Sequence, residues 1–362
     1  MGLTLTLTDK DIPASPSFIE FLHSTITGTP YHAGEWFFQE GESLAQNPDR
    51  YKDIMKKATV VTAHPLGKKA LTHAYRLFKE ILIGMPNILK QTEKFHFFFI
   101  VGIPRTGGTY LTKQLYRAAG IDYKSVQNAL AHDGFPHIEP LSFKKERGNM
   151  HTAGLLQLAE YMVMVEIFYS RNPKFIYKNR ILVPKKFTKG MYNFPLIDVV
   201  FPNNATYLIT LRHPLAMIHS VLEKSGGMPK GGKFKVRSAI ERWGQNELIG
   251  SGTSEADIAK MDYMDVMLEY WKRFHLQMGM SGMVNKPSAR LVPYGKEYMV
   301  KEAENLFREM GVTLKPEAFK SADKPDFSAS VNKKAQKAME DVANLWESLG
   351  ATFPIKELAK QY

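Results

Sequence analysis

Two arginines, with the glycines and hydroxyls around them, carry the chemistry that can be read from this chain. Arg105 stands within Phe97 to Leu111 (FFFIVGIPRTGGTYL), an almost wholly apolar run that breaks into a Gly/Thr-rich turn and then opens a helix. A buried strand, a tight turn and a helix N-terminus in that order converge backbone N–H groups and the positive end of a helix dipole on one point, an arrangement that holds phosphate. Gly102-x4-Gly107 has the spacing of a nucleoside-triphosphate loop, but Gly108 and Thr109 stand where such a loop carries Lys and Ser/Thr. The cation lies inside the loop instead, at Arg105, which fits a nucleotide other than a triphosphate. Arg212 ends the β-rich run Ala205–Leu211, and His213, Pro214 and, eight residues on, Ser220 follow it. Pro214 suits the first turn of a helix. An arginine at a strand's C-terminal end lies where open α/β sheets bind ligands, and a guanidinium fork with a serine hydroxyl suits a phosphate.

The elements that must position these residues follow from the hydrophobic period. Helical spacing marks Ser17–His23 and Gly67–Leu89, and the first 94 residues read as mostly helix. Phe95–Gly102 is a buried strand and Gly107–Ala119 a helix stopped by Gly120. Asn128–Asn149 reads as a loop, Leu155–Tyr169 as an apolar helix and Lys174–Lys178 as a short strand. Beyond Arg212, helices are expected from Pro214, near Val236–Ile249, Ala256–Met280, Lys296–Met310 and Asn332–Leu349, with a last strand at Arg290–Tyr294. Strands alternating with helices predict an α/β fold with a central parallel sheet flanked by helices. One domain is expected over 1–362, with a helical N-terminal part (1–94), a nucleotide-binding core (95–312) and a C-terminal helical part (313–362).

Composition narrows the partners. The chain has 48 basic and 36 acidic residues, a formal charge of +12, which favours anionic ligands. The basic residues are scattered without an arginine-rich or aromatic-interleaved tract, so no nucleic-acid partner is expected. Cysteine is absent, which excludes disulfides, thiolate metal sites and a thiol nucleophile. No signal peptide and no membrane span are read from the sequence, and a soluble, cytoplasmic protein is the expectation.

The two arginine segments together resemble the sulfotransferases that use 3′-phosphoadenosine 5′-phosphosulfate (PAPS). Pro104-Arg105-Thr106-Gly107-Gly108-Thr109 is similar to that family's 5′-phosphosulfate loop, Pro-(Lys/Arg)-(Ser/Thr)-Gly-(Thr/Gly)-Thr. Arg212 through Ser220 is similar to its 3′-phosphate motif, Arg-x-Pro-x5-Ser. Softer likenesses are Val292–Tyr298, after the last core strand, and Lys174–Arg180, before the acceptor-side loop. The resemblance implies a P-loop type fold with helical N-terminal and acceptor-side insertions, and transfer of a sulfuryl group to a hydroxyl or amine of an unidentified small-molecule, lipid or glycan acceptor, without a metal. It further implies that Arg105, Thr106, Gly107, Gly108, Thr109 and Tyr110 hold the 5′-phosphosulfate and that Arg212 and Ser220 hold the 3′-phosphate. Arg105 would also act in catalysis, and Lys178 would steady the transferring group.

The acceptor hydroxyl needs a general base. Cytosolic relatives place a histidine just past the lysine corresponding to Lys178, but Arg180 stands there. Other relatives place a glutamate some twenty residues after the loop cation, where this chain reads Ser125-Val126-Gln127. His132 is therefore the leading candidate, with Asp133, His137 and Glu139 as alternatives; a metal site at His132, Asp133 and His137 has no helical register behind it. Asp198 could end a metal-binding strand segment or an ordinary element. Lys233 and Arg237 belong either to the nucleotide site or to a solvated loop, and the Met- and aromatic-rich helices either to core or to an acceptor pocket. A P-loop kinase or hydrolase and a non-catalytic nucleotide-binding protein are the rival readings.

Overall fold

The structure is a computed structural model and describes residues 14–29, 48–84, 87–126, 128–133, 135–136, 147–320 and 326–361. Four helices precede the sheet: α1 (Pro16–Thr27), α2 (Pro48–Ala63), α3 (Pro65–Ile83) and α4 (Asn87–Thr92). Strand β1 (Phe95–Val101) leads into α5 (Gly108–Ala118), then α6 (Asn128–Ala131) and the long α7 (Arg147–Arg171). A hairpin of β2 (Ile176–Tyr177) and β3 (Arg180–Lys186) follows, then α8 (Phe194–Val200), β4 (Ala205–Leu211) and α9 (Pro214–Lys224). Helices α10 (Ala239–Gly250), α11 (Glu255–Ile258) and α12 (Tyr263–Met280) lead to β5 (Ala289–Pro293), and α13 (Lys296–Glu309), α14 (Ala329–Ser348) and α15 (Ile355–Ala359) close the chain.

The strands form one sheet in the order β2-β3-β1-β4-β5, in which β3, β1, β4 and β5 run parallel and β2 is antiparallel. Every residue of β1 and of β4 is buried, as expected of strands covered on both faces. Phe97 and Phe99, two apart and so on one face, stack at 5.4 Å, and Phe99 stacks on Tyr207 of β4 at 5.9 Å. The chain leaves β1 toward β3 on one side and returns as β4 on the other. The carboxyl ends of β1 and β4 therefore flank a topological switch point, where an open α/β sheet has room for a ligand. Among the described residues no helix is long and apolar enough to cross a membrane.

Several expectations change. The long helix expected over Gly67–Leu89 stops at Ile83, because Gly84 turns left-handed (φ 64°). Ala256–Met280 is broken into α11 and α12: Phe234 N donates to Met261 O at 3.0 Å and Lys233 pairs with Asp262 as a β-bridge, which draws this backbone out of a helix. The strand at Lys174–Lys178 shrinks to Ile176–Tyr177, and Lys178 and Asn179 both have positive φ (50° and 63°), the signature of a two-residue hairpin turn. The strand that this turn feeds, β3, went unrecognised. Its charged ends and internal Pro184 argue against a central strand, and it lies second from the sheet edge, beside the two-residue β2.

Burial pushes the imidazoles of His96, His132, His213 and His275 down to about 4, aided at His96 by Lys178, Arg180 and Arg290 and at His132 by nearby lysines. The unfolded chain protonates histidine near 6.5, so between these values it binds more protons than the folded protein and stability falls as pH falls. Glu20 and Glu302, raised by burial, act in the opposite sense but are fewer. The melting temperature is expected to drop stepwise between pH 7 and pH 5 in calorimetry. A flat profile would show that the buried imidazoles are protonated in place.

Candidate anion-binding cleft

The loop after β1 is shaped by contacts that leave no room for other residues. A Cβ on Gly102 would lie 2.3 Å from Thr210 Oγ1 and 2.5 Å from Thr210 O, so only glycine lets the exit of β1 press against β4. Thr106 is buried; its hydroxyl donates to Ile103 O at 2.8 Å and meets Thr210 Oγ1 at 2.7 Å, closing the loop onto β4. At Gly107 (φ 88°) a Cβ would meet Met299 Cε at 2.6 Å. Arg105 itself is left-handed (φ 75°), a conformation that costs a non-glycine residue roughly 1–3 kcal/mol. Helix α5 starts at Gly108 with no side-chain cap, so its first amides have no partner of that kind.

Because β1 and β4 are neighbours, the loop and Arg212 end side by side. Arg212 is 2 % exposed, donates from Nη1 to Arg105 O at 2.8 Å and lies 3.9 Å above the Tyr294 ring. Its Nε has no hydrogen-bond partner. The peptide around it is fixed from two directions: Trp271 Nε1 donates to Arg212 O at 3.0 Å, and His213 N donates to Gln361 Oε1 at 3.2 Å. Pro214 occupies the first turn of α9 as expected, and α9 carries Ser220, whose Oγ accepts from Arg105 Nε at 3.0 Å. Burial pulls both guanidinium groups down, and at Arg212 the Arg105 charge adds to that. Among the described residues neither arginine makes an ion pair. A buried and a half-buried cation with no bonded carboxylate, reached by the Glu223 charge of α9 only across the cleft, leave a charge that an anion would compensate.

A cleft of about 570 Å³ opens over this pair, and Arg105, Gly107, Gly108, Thr109, Arg212 and Ser220 line it together. Thr106 lies beneath the loop, and the Tyr110 hydroxyl is taken by Glu317 O at 2.8 Å. That bond, with Glu317 N to Gln114 Oε1 at 3.1 Å, straps residues 312–320 along α5. The strap brings Phe319 to the cleft wall between Tyr110 and Tyr294, with ring centroids 5.0 and 5.1 Å away.

The opposite wall holds His132, Asp133 and Lys186. His132 Nε2 lies 3.1 Å from Thr109 Oγ1. Burial, then Lys186, keeps the imidazole neutral down to about 4, so at neutral pH it has a lone pair available to accept a proton. Burial alone would raise the Asp133 carboxyl, but Lys186, His132 and the Thr188 amide outweigh it and hold the group well below the usual carboxylate range. Lys186 Nζ pairs with Asp133 Oδ2, and Thr188 N donates to Oδ1 at 2.8 Å.

Lys178 does not join this group. It sits at the hairpin turn beside the N-terminal end of β3, with its Nζ 5.1 Å from the Tyr177 ring centroid, whereas the cleft lies past the C-terminal end of the same strand. Seven strand residues separate the two ends, about 20 Å. The lysine of β3 that reaches the cleft is Lys186, which recognition of β3 as a parallel strand beside β1 would have revealed; Lys224 of α9 and Lys320 of the strap line the cleft as well. Tyr294, at the carboxyl end of β5, was open to the same argument. Lys233 pairs with Asp262 at 2.8 Å, and Arg237 with Glu241 at 2.7 Å and Gly227 O; these bonds close the loop before α10 and keep both cations out of the cleft. Asp198 lies on α8, bonded to Lys286 at 2.6 Å. The Met- and aromatic-rich faces of α7 and α12 are core. His137 and Glu139 lie outside the described residues, and among those described no three His, Asp or Glu side chains are grouped to hold a metal.

Comparison of the chain with protein-family models, with curated proteins and with solved structures gave no match.

Replacing Arg212 by methionine removes a desolvated charge. Arg212→Met is expected to raise the melting temperature of the ligand-free protein by ~2–4 °C and to abolish the stabilisation that added pyrophosphate gives the wild type. A fall in melting temperature with pyrophosphate stabilisation retained would show that Arg212 serves packing rather than anions.

Proposed function

We propose that the protein is a sulfotransferase that moves a sulfuryl group from PAPS to a hydroxyl, or less readily an amine, of a small-molecule, lipid or glycan acceptor. The observation that carries the reading is the buried Arg212, unpaired by any described carboxylate and bonded to the carbonyl of Arg105, whose own side chain is bonded to Ser220, at the switch point. A nucleotide bearing phosphates at both ends of its ribose suits two separate but adjoining cationic positions. The short motif likenesses at 104–109 and 212–220 support the same donor. The fold is then of the P-loop type, with its triphosphate lysine replaced by Arg105.

In this reading the loop amides, Thr109 and Arg105 hold the 5′-phosphosulfate, while Arg212 and Ser220 hold the 3′-phosphate. Sulfuryl transfer, like phosphoryl transfer, depends on positioning and charge stabilisation. The S–O bond to the acceptor oxygen forms as the S–O bond to the 5′-phosphate breaks, and the electron pair stays with the phosphate. Arg105 stabilises the charge left on that bridging oxygen. His132, neutral at neutral pH, takes the acceptor proton. Lys186, which lines the cleft, takes the part first expected of Lys178 and steadies the transferring group. No step requires a metal.

Adenosine 3′,5′-bisphosphate is expected to stabilise the protein without Mg²⁺ far more than ATP with Mg²⁺ or adenosine 5′-monophosphate, measured by thermal shift and calorimetry. Preference for ATP with Mg²⁺ would make it a kinase or hydrolase instead. With PAPS and an acceptor library, Arg105→Ala should lower turnover at least ~10²-fold, and Arg212→Ala should weaken PAPS much more than adenosine 5′-phosphosulfate, which lacks the 3′-phosphate. Equal losses for both donors would remove the 3′-phosphate assignment.

A further inference from the structure

The residue beside Lys186 is a second lysine with a different task. Lys185 is fully buried, and because strand side chains alternate it points away from the cleft. Its Nζ donates to Ala129 O at 2.9 Å and to His132 O at 2.5 Å, and lies 5.0 Å from the ring centroid of Tyr161 on α7. The Tyr161 hydroxyl donates to Leu130 O at 3.1 Å. These carbonyls belong to the end of α6 and to the turn that follows, the oxygens a helix leaves without intrahelical partners. The end of β3 thus grips the His132 turn three times: Lys185 by the main chain of His132, and Lys186 and Thr188 by the carboxylate of Asp133.

We propose that Lys185, with Tyr161, is a positioning residue that locks the α6 turn so that the His132 imidazole stays against Thr109 at the mouth of the nucleotide loop. The role of His132 as base rests on the function proposed above; the locking of the turn does not. A buried ammonium is costly to desolvate, and a methionine of similar shape would fill the space without that cost. What methionine lacks is the donor that ties His132 O to the sheet.

The test follows the His132 ring itself, by NMR titration of its imidazole, identified by the signal missing in His132→Gln. The charged groups that bear on this ring are Lys186 and Lys185 of β3, Asp133 of its own turn and Lys113 of α5. In the wild type the ring is expected to stay neutral to about pH 4. Lys185→Met should move its titration upward by a unit or more. Tyr161→Phe changes no charge and perturbs the fold least, so an upward shift there reports the loosened turn alone. Both variants should keep the wild-type affinity for adenosine 3′,5′-bisphosphate within about twofold, because neither touches the arginines, while turnover falls about tenfold or more. An unchanged His132 titration in Tyr161→Phe, with only the melting temperature lowered, would overturn the proposal and leave Lys185 and Tyr161 as core. Failure of the wild type to bind the bisphosphate would instead remove the proposed function, while the titration would still decide whether the turn is locked.

Discussion

Two guanidinium groups share one end of a parallel sheet, and no described carboxylate is bonded to either. Glu223 of α9 lines the same cleft and its charge reaches both without bonding either, so other contacts must hold the pair in place. Gly102 lets β1 and β4 close until Thr106 and Thr210 meet, which sets the Arg105 carbonyl where Arg212 can donate to it. Tyr294 offers its ring face to the buried charge, and Ser220 accepts from Arg105. These contacts orient the two cations without neutralising them. Had the fold needed only stability, an aspartate in bonding distance would have served it better.

The cleft has a second pole built on the opposite logic. There the lysine is paired, and the carboxylate of Asp133 is anchored by Lys186 and the Thr188 amide. His132 stands between the poles, kept neutral by burial and by the lysine field against the opposing pull of Asp133, 3.9 Å from its Nδ1. A neutral imidazole beside unneutralised arginines does not compete with them for an anion. It can, however, receive a proton from a neutral group approaching along the same cleft.

The arginine side of the cleft was legible in the sequence because its signals are local. The strand-turn-helix order at Phe97–Leu111 and the Pro-started helix after Arg212 each fit within fifteen residues, and β1, β4, α5 and α9 form where the pattern puts them. The other side was not, because its placement depends on β3. A strand that begins with arginine, ends in two lysines and contains a proline has no alternating pattern to betray it. Only its pairing with β1, from Phe95 opposite Ile181 to Ile100 opposite Lys186, shows that its far end belongs to the cleft. The resemblance pointed to Lys178, which lies at the opposite end of β3 from the cleft, and without that pairing Lys186 had no reason to be noticed. The break between α11 and α12 was hidden for the same reason, since it is made by Lys233 and Phe234, some twenty-five residues earlier in the chain.

The bond from His213 to Gln361 joins the peptide beside Arg212 to the end of the described chain, and the strap with Phe319 and the stacking ring of Tyr294 also arrive late. During synthesis the loop at Arg105 leaves the ribosome long before any of these. A nascent chain that has already paired β1 with β4 therefore carries its two arginines without their covering ring, strap and tether. Until those segments are made, the arginine end of the sheet lacks the ring that covers Arg212 and the bond that tethers its peptide. The residues made late are thus the ones that give the two cations their fixed setting.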